Sequence, residues 1–277
     1  MHIGITQFST GYTIRIDELA RAAEERGFES LFIPEHTHIP TSRKSPWPGG
    51  AELPEEYKHT LDPLVALSFA AAATKNMRIG TAIALLTERD PIVLAKECAS
   101  LDLLCGGRFE LGIGAGWNAE EMENHGTAFK DRFKVMCDRA KAIKTLWAEE
   151  TPEYHGPFVD FAPLWSYPKP IQTPPPILLG GETQYSLERV VDFCEGWLPR
   201  TRSFKDAKGE MARLKEVADR AGRDMSTIQT SVFGATGDAQ SLEAYRDAGV
   251  FRAIITLPPV GRDESLALLD KHAAVLG

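Results

Sequence analysis

The chain has no apolar run approaching the length of a membrane span, and its opening MHIGITQF enters a strand pattern with neither a basic n-region nor an apolar h-region. The expectation is a cytoplasmic protein. A positive charge balance is also missing: 31 Lys and Arg stand against 39 Asp and Glu, a formal net charge of -8. Nucleic acid and anionic membranes are repelled on average by such a chain and are not expected as partners, although a local basic pocket for an anionic ligand is compatible with it. The four cysteines, Cys98, Cys105, Cys137 and Cys194, include no CxxC pair. Three of them sit in helical patterns among apolar neighbours, which fits buried reduced thiols rather than metal ligands. Sequence repeats, low-complexity tracts and linkers are absent too. What is present is 277 residues at 43% hydrophobic, enough to bury a full core in one large α/β domain.

The stretch from Met77 to Gly126 sets the plan for the rest. It reads as strand, loop, helix, tight turn, strand and Gly-rich loop, a βαβ unit whose strands must run parallel because a helix crosses between them. Strand patterns also occupy 3–8, 28–33, 176–181, 196–199, 228–233 and 252–257, and each leads into a helical pattern. Asp62-Pro63 supplies an N-cap with proline at the first helical position, and the longest helix spans 131–149. Eight strands each followed by a helix are the inventory of a (β/α)8 TIM barrel over residues 1–277, with an open doubly wound sheet as the alternative. Two stretches depart from the alternation. Pro40 to Thr60 is a proline-containing segment without periodicity, the mark of a lid or binding loop, and 151–176 is a proline-rich insertion between strands 4 and 5.

A barrel of this kind carries its site at the C-terminal ends of its strands. His36, just past the second strand, is a candidate proton donor or hydrogen-bond donor, against a plain loop-positioning role. A metal pair with His38 is discounted for want of a third ligand. Gly114-Ala115-Gly116-Trp117-Asn118-Ala119 matches GxGxxA, but a dinucleotide fingerprint needs a second strand ending in an acidic residue about 20 positions on, where this chain has its long helix. These glycines read instead as clearance for a ligand. Gly180-Gly181, a strand end that turns into a helix N-terminus, is a candidate phosphate seat, to which Arg200 and Arg202 would add charge, against a plain αL turn. Trp47 and Trp117 suit the wall of a pocket for a planar ring, while Trp197 suits core packing. Glu120, Glu121 and Glu123 read as a solvated helix face.

IPEHTHIP after the second strand, LDPLVALSFAAAAT, the whole central βαβ unit, DRFK, PKPIQTPPPILLGG and EGWLP together resemble the luciferase-like oxidoreductases, nearest the actinobacterial subgroup that uses coenzyme F420. The resemblance runs through residues 1–200 in order. It implies a bacterial luciferase-like TIM barrel, usually a homodimer, with a deazaflavin or flavin ring over a bulge in strand three and its phosphate at Gly180-Gly181. It also implies a non-prolyl cis peptide at Ala82-Ile83, an acidic residue and a histidine near the ring at Glu35 and His36, and ring-lining residues at Ala115, Gly116 and Trp117. The chain departs from the sugar-phosphate members in having Trp117 where they carry a catalytic Glu, and Glu35 where Asp is common. His36 is then the first candidate for proton donor and Glu35 the second.

The reading reached from residues and resemblance together is an F420-dependent oxidoreductase moving hydride between the deazaflavin and a small organic substrate, an enone or a carbonyl/alcohol. The alternatives are an FMN-dependent monooxygenase on the same barrel and a cofactor-binding protein without catalysis. No metal is expected.

Overall fold

A computed structural model of the chain describes residues 1–50 and 52–276. Eight parallel strands close into a barrel: β1 (His2–Thr6), β2 (Ser30–Ile33), β3 (Arg78–Thr81), β5 (Phe109–Gly114), β8 (Ile177–Gly180), β9 (Gly196–Leu198), β10 (Gln229–Ala235) and β11 (Arg252–Thr256). The pairing of β3 with β5, Ile79 opposite Phe109, completes the ring that β1 and β11 join at its other side, His2 opposite Arg252. The open-sheet alternative is thereby excluded. A two-residue strand, β4 (Ala84–Leu85), extends β5 beyond the barrel wall, and β6 (Tyr154–His155) and β7 (Asp160–Phe161) make a small hairpin in the proline-rich insertion.

Helices α1 (Ile16–Glu25), α2 (Pro63–Ala73), α3 (Pro91–Leu104), α4 (Ala119–Asn124), α5 (Arg132–Ala148), α6 (Gln184–Phe193), α7 (Ala207–Ala221), α8 (Ala239–Asp247) and α9 (Arg262–Ala273) accompany the strands. None of the described helices is long and apolar enough to cross a membrane. The Asp-Pro device works as read: Asp62 accepts from the Leu64 and Val65 N–H groups, and Asp90 repeats it for Ile92 and Val93 at the start of α3. Between strands and helices lies the main apolar layer. A second, smaller cluster of Phe32, Ala82, Leu178, Leu198 and Ile254 fills the barrel lumen. Each buried Leu or Ile contributes about 1.5–3 kcal/mol by leaving water, so the two layers together fix which strand face points inward. Cys98, Cys105 and Cys194 are buried, and burial pushes all three thiols up, away from reactivity.

The floor of the barrel is ionic. Arg252, fully buried at the start of β11, makes paired hydrogen bonds to Glu29 (2.7 and 2.8 Å) and to Glu110 (2.8 and 2.8 Å), and Arg78 closes onto Glu110 from the side. Burial opposes the Glu110 charge, but the two guanidinium groups outweigh it and hold the carboxylate below its usual range.

Candidate active site

The sites read from the sequence converge on the opposite end. After β3 the chain turns through a cis peptide at Ala82-Ile83, where the resemblance puts one, before β4 begins. Gly112 and Gly114 on neighbouring β5 serve this bulge. A Cβ on Gly112 would sit 1.9 Å from the Thr81 carbonyl oxygen, and one on Gly114 would sit 1.9 Å from Ile83 Cδ1. The expectation that Gly114 and Gly116 leave clearance for a ligand is therefore corrected: the bulge takes the room at 114, and Met122 Cε lies 3.0 Å from where a Cβ on Gly116 would sit. Ile83 also reaches Gly180 at the end of β8, where a Cβ would lie 3.4 Å from Ile83 Cγ2. Bulge and glycine pair are thus direct neighbours, although 97 positions separate Ile83 from Gly180 in the chain.

At the pair, Gly181 has a φ of 121° and a Cβ there would come within 2.7 Å of Ser186 Oγ, so only glycine fits without strain. Buried Trp197 holds the turn by donating from Nε1 to the Gly181 carbonyl at 2.7 Å, in keeping with its packing role. Thr183, two residues past the pair, caps α6 by accepting from Ser186 N at 3.1 Å. Arg200 stands beside this turn but is engaged by Glu182, at 2.8 Å from Nε and 2.6 Å from a terminal nitrogen. Burial works against the Glu182 carboxylate, yet these bonds win and hold it below the usual range. Arg202 points elsewhere, to the Pro48 carbonyl of the lid at 3.3 Å.

Past β2, Glu35 is buried with both oxygens occupied: Leu85 N donates to one at 2.7 Å and Arg89 Nε to the other at 2.7 Å. Glu35 thus fastens β4 and the segment after the bulge. His36 is arranged differently. Its Nδ1 meets Glu121 Oε2 at 2.7 Å, and its ring edge faces Trp117 and Tyr57 at centroid distances of 5.7 and 5.2 Å. Phe8 and Trp47 pack on Tyr57 at 4.7 and 5.8 Å and complete an aromatic wall. Trp47 and Trp117 therefore do stand at the mouth, both only half-buried. Ala115 is buried and Gly116 and Trp117 half-buried at the end of β5.

Glu121 is the residue the sequence reading misplaced. Of the three carboxylates assigned to a solvated face, only Glu123 is exposed. Glu121 is buried and accepts from His36 and from the Thr37 and His38 backbone N–H groups (3.0 and 3.4 Å). Glu120 accepts from Lys44 N at 2.8 Å and from the Ser42 and Ser45 hydroxyls, mooring the lid to α4. A signal existed: Asn118 caps α4 and Glu121 lies three residues on, the spacing that places a first-turn acid near the cap and not on the outer face. Glu88, in the loop after β4, was not singled out at all. Its side chain is buried beside Thr37, and burial, then the facing charges of Glu121 and Glu35, push its carboxyl up to about 9. Among the described residues no group of three or more His, Cys, Asp or Glu is placed to hold a metal ion.

The luciferase-like monooxygenase profile matches residues 7–272. An uncharacterized protein of Mycobacterium tuberculosis is 35% identical over 280 residues, covering 100% of this chain and 99% of that one. The F420-dependent glucose-6-phosphate dehydrogenase of Kineococcus radiotolerans is 31% identical over 254 residues, covering 87% and 69%. Among solved structures, an F420-dependent secondary alcohol dehydrogenase in complex with an F420-acetone adduct superposes with a TM-score of 0.79 at 16% identity over 100% of both chains, a likeness of fold. A closed eight-stranded barrel with a cis-peptide bulge after its third strand, matched by the profile over nearly its whole length, makes this chain a member of the luciferase-like monooxygenase family.

Proposed function

We propose that the chain is an F420-dependent oxidoreductase acting on a small organic substrate, an enone or a carbonyl/alcohol pair. The observation that carries this reading is His36, a histidine at the mouth whose Nδ1 is fixed by a buried carboxylate and whose remaining edge lies among aromatic rings. A ring nitrogen held this way leaves the other free to exchange a proton with a bound molecule. The residues fit a large planar cofactor with an anionic tail: half-buried Ile83 beside the Gly180-Gly181 turn would back the ring, with Ala82, Ala115, Gly116 and Trp117 around it. The glycine turn and the start of α6 would receive the phosphate. Arg200 would join it from its pair with Glu182. When bound, the deazaflavin supplies hydride transfer.

The chain's own work is positioning and proton handling. His36 donates a proton to, or takes one from, the substrate oxygen. Glu121 holds the imidazole orientation, and the aromatic wall and lid keep water from the reacting atoms. Glu35, the second candidate, acts at one remove by holding the segment after the bulge. The F420-dependent relative from Kineococcus, at 31% identity, supports the choice of F420 over FMN. Titration of the purified chain with each cofactor tests it: micromolar F420 binding is expected, and FMN binding without F420 binding would overturn it. His36→Ala should keep F420 affinity and lose roughly 100-fold or more in turnover. The reading includes a homodimer, supported by the exposed apolar faces of α2 (Val65, Phe69), with Leu61 just before it, and of adjacent α3 (Val93, Leu103, Leu104).

A further inference from the structure

We propose that Glu88 and Glu121 hold one proton between them at neutral pH, so that a single negative charge stands behind the His36 ring, with Glu88 as the positioning residue that stores the proton. This deepens the reading of His36 as the proton-transferring group and rests on it.

The argument is a census of donors. Three carboxylates, Glu35, Glu88 and Glu121, lie buried together at the mouth. Glu35 is satisfied by Arg89 and Leu85 N. Glu121 is satisfied by His36 and two backbone N–H groups. Glu88 has almost nothing. Its Oε1 is buried without a partner, and its Oε2 reaches only Thr37 Oγ1 at 3.3 Å and, more distantly, His125 Nε2 at 3.9 Å.

The Thr37 hydroxyl has one hydrogen and four neighbours, with His125 Nε2 at 2.8 Å and His38 Nδ1 at 2.9 Å nearer than Glu88 at 3.3 Å or Glu121 at 3.5 Å. Asn124 Nδ2 donates to His38 Nε2 at 2.8 Å, so His38 Nδ1 is a donor to Thr37 Oγ1, and the hydroxyl hydrogen goes to the nearer His125 Nε2. Among the described residues no guanidinium bonds to Glu88: Arg89, next in the chain, is committed to Glu35 and Asp62, and Arg139 donates to the Leu86 carbonyl while its Nε has no partner. Burial, then the neighbouring His38, lowers His125, so it is neutral where Glu88 would need a cation.

An ionised Glu88 would be a buried anion with no donor facing a second anion. A protonated Glu88 donates its O–H to Glu121, and the repulsion becomes a hydrogen bond. The direction and size of the Glu88 shift, up to about 9, agree. For His36 this matters directly. A second charge behind the ring would attract the ring proton and hold it back from an acceptor in the mouth.

The test is a carboxyl-carbon NMR titration of the full chain labelled with 13C-glutamate, without cofactor. One resonance should stay at the protonated position through pH 7, titrate near pH 9 and vanish in Glu88→Gln. Should that variant not fold, Glu88→Asp removes the same labelled carboxyl and gives the assignment. Titration of every glutamate below about pH 6 overturns the proposal. With F420 and a turnover substrate, wild type should lose activity as pH rises past about 9, and Glu88→Gln should lack that limb; a limb unchanged in the variant overturns the coupling to His36. Failure of F420 to bind would count against the cofactor reading alone, since the NMR titration uses neither cofactor nor substrate.

Discussion

The two ends of the barrel treat buried charge in opposite ways. At the floor, Arg252 and Arg78 face Glu29 and Glu110, two cations for two anions, each at close range. At the mouth, of Glu35, Glu88 and Glu121 only Glu35 meets a guanidinium, that of half-buried Arg89, which also goes to Asp62. A neutralised floor serves to hold strands β2, β3, β5 and β11 together. An under-compensated mouth keeps a carboxyl in search of a proton and a histidine beside it. Charge balance thus separates the end that holds the strands from the end that can exchange protons.

The strongest way to break the comparison is at the floor. Arg252→Met leaves Glu110 and Glu29 without their buried partner and should cost about 3–5 kcal/mol, measured by urea unfolding. A loss under about 1 kcal/mol would mean that the floor network is not structural. At the mouth the cost should appear in rate instead. Glu121→Gln keeps a hydrogen-bond acceptor on His36 but removes the charge, and turnover should fall roughly 10-fold or more, about 1.4 kcal/mol on the barrier, with little change in the unfolding midpoint. Equal damage to both readouts would erase the distinction between the ends.

A pH dependence of stability sharpens it further. The Glu88 carboxyl is raised to about 9 in the fold, while in the unfolded chain it ionises at the ordinary value near 4.5. Between those values the folded state binds more protons, so its stability contribution is full below about 4.5 and declines as pH rises toward 9. Unfolding midpoints of wild type should therefore drift down across that range relative to Glu88→Gln, and parallel curves would contradict the raised value.

Much of the architecture was legible because it rests on periodicity. Eight strand patterns appear where eight barrel strands lie, including the brief sixth at Gly196–Leu198, and the Asp62-Pro63 cap opens α2 as read. Ala51 in the lid and Gly277 at the end fall outside the described residues. Of the candidate site, Gly180-Gly181, His36, Trp47 and Trp117 stand out in the sequence by residue type. Glu121 and Glu88 do not. An acid on a short polar helix looks like any solvated acid, and only the approach of the β2 loop, more than 80 positions earlier in the chain, turns Glu121 inward. Gly112 and Gly114 show the same limit. Their smallness was evident, but what occupies the space is the neighbouring strand's bulge, which three-dimensional packing alone decides.

Ile83 is wedged between two strand ends that have given up their side chains. A Cβ at 114 would lie 1.9 Å from Ile83 Cδ1 and force that wedge aside, while one at 180 would rest on Ile83 Cγ2 and the Ile113 carbonyl oxygen, each at 3.4 Å. Engineers seeking a different redox partner would therefore do well to vary positions 83, 114 and 180 as one unit, since each constrains what the other two can become.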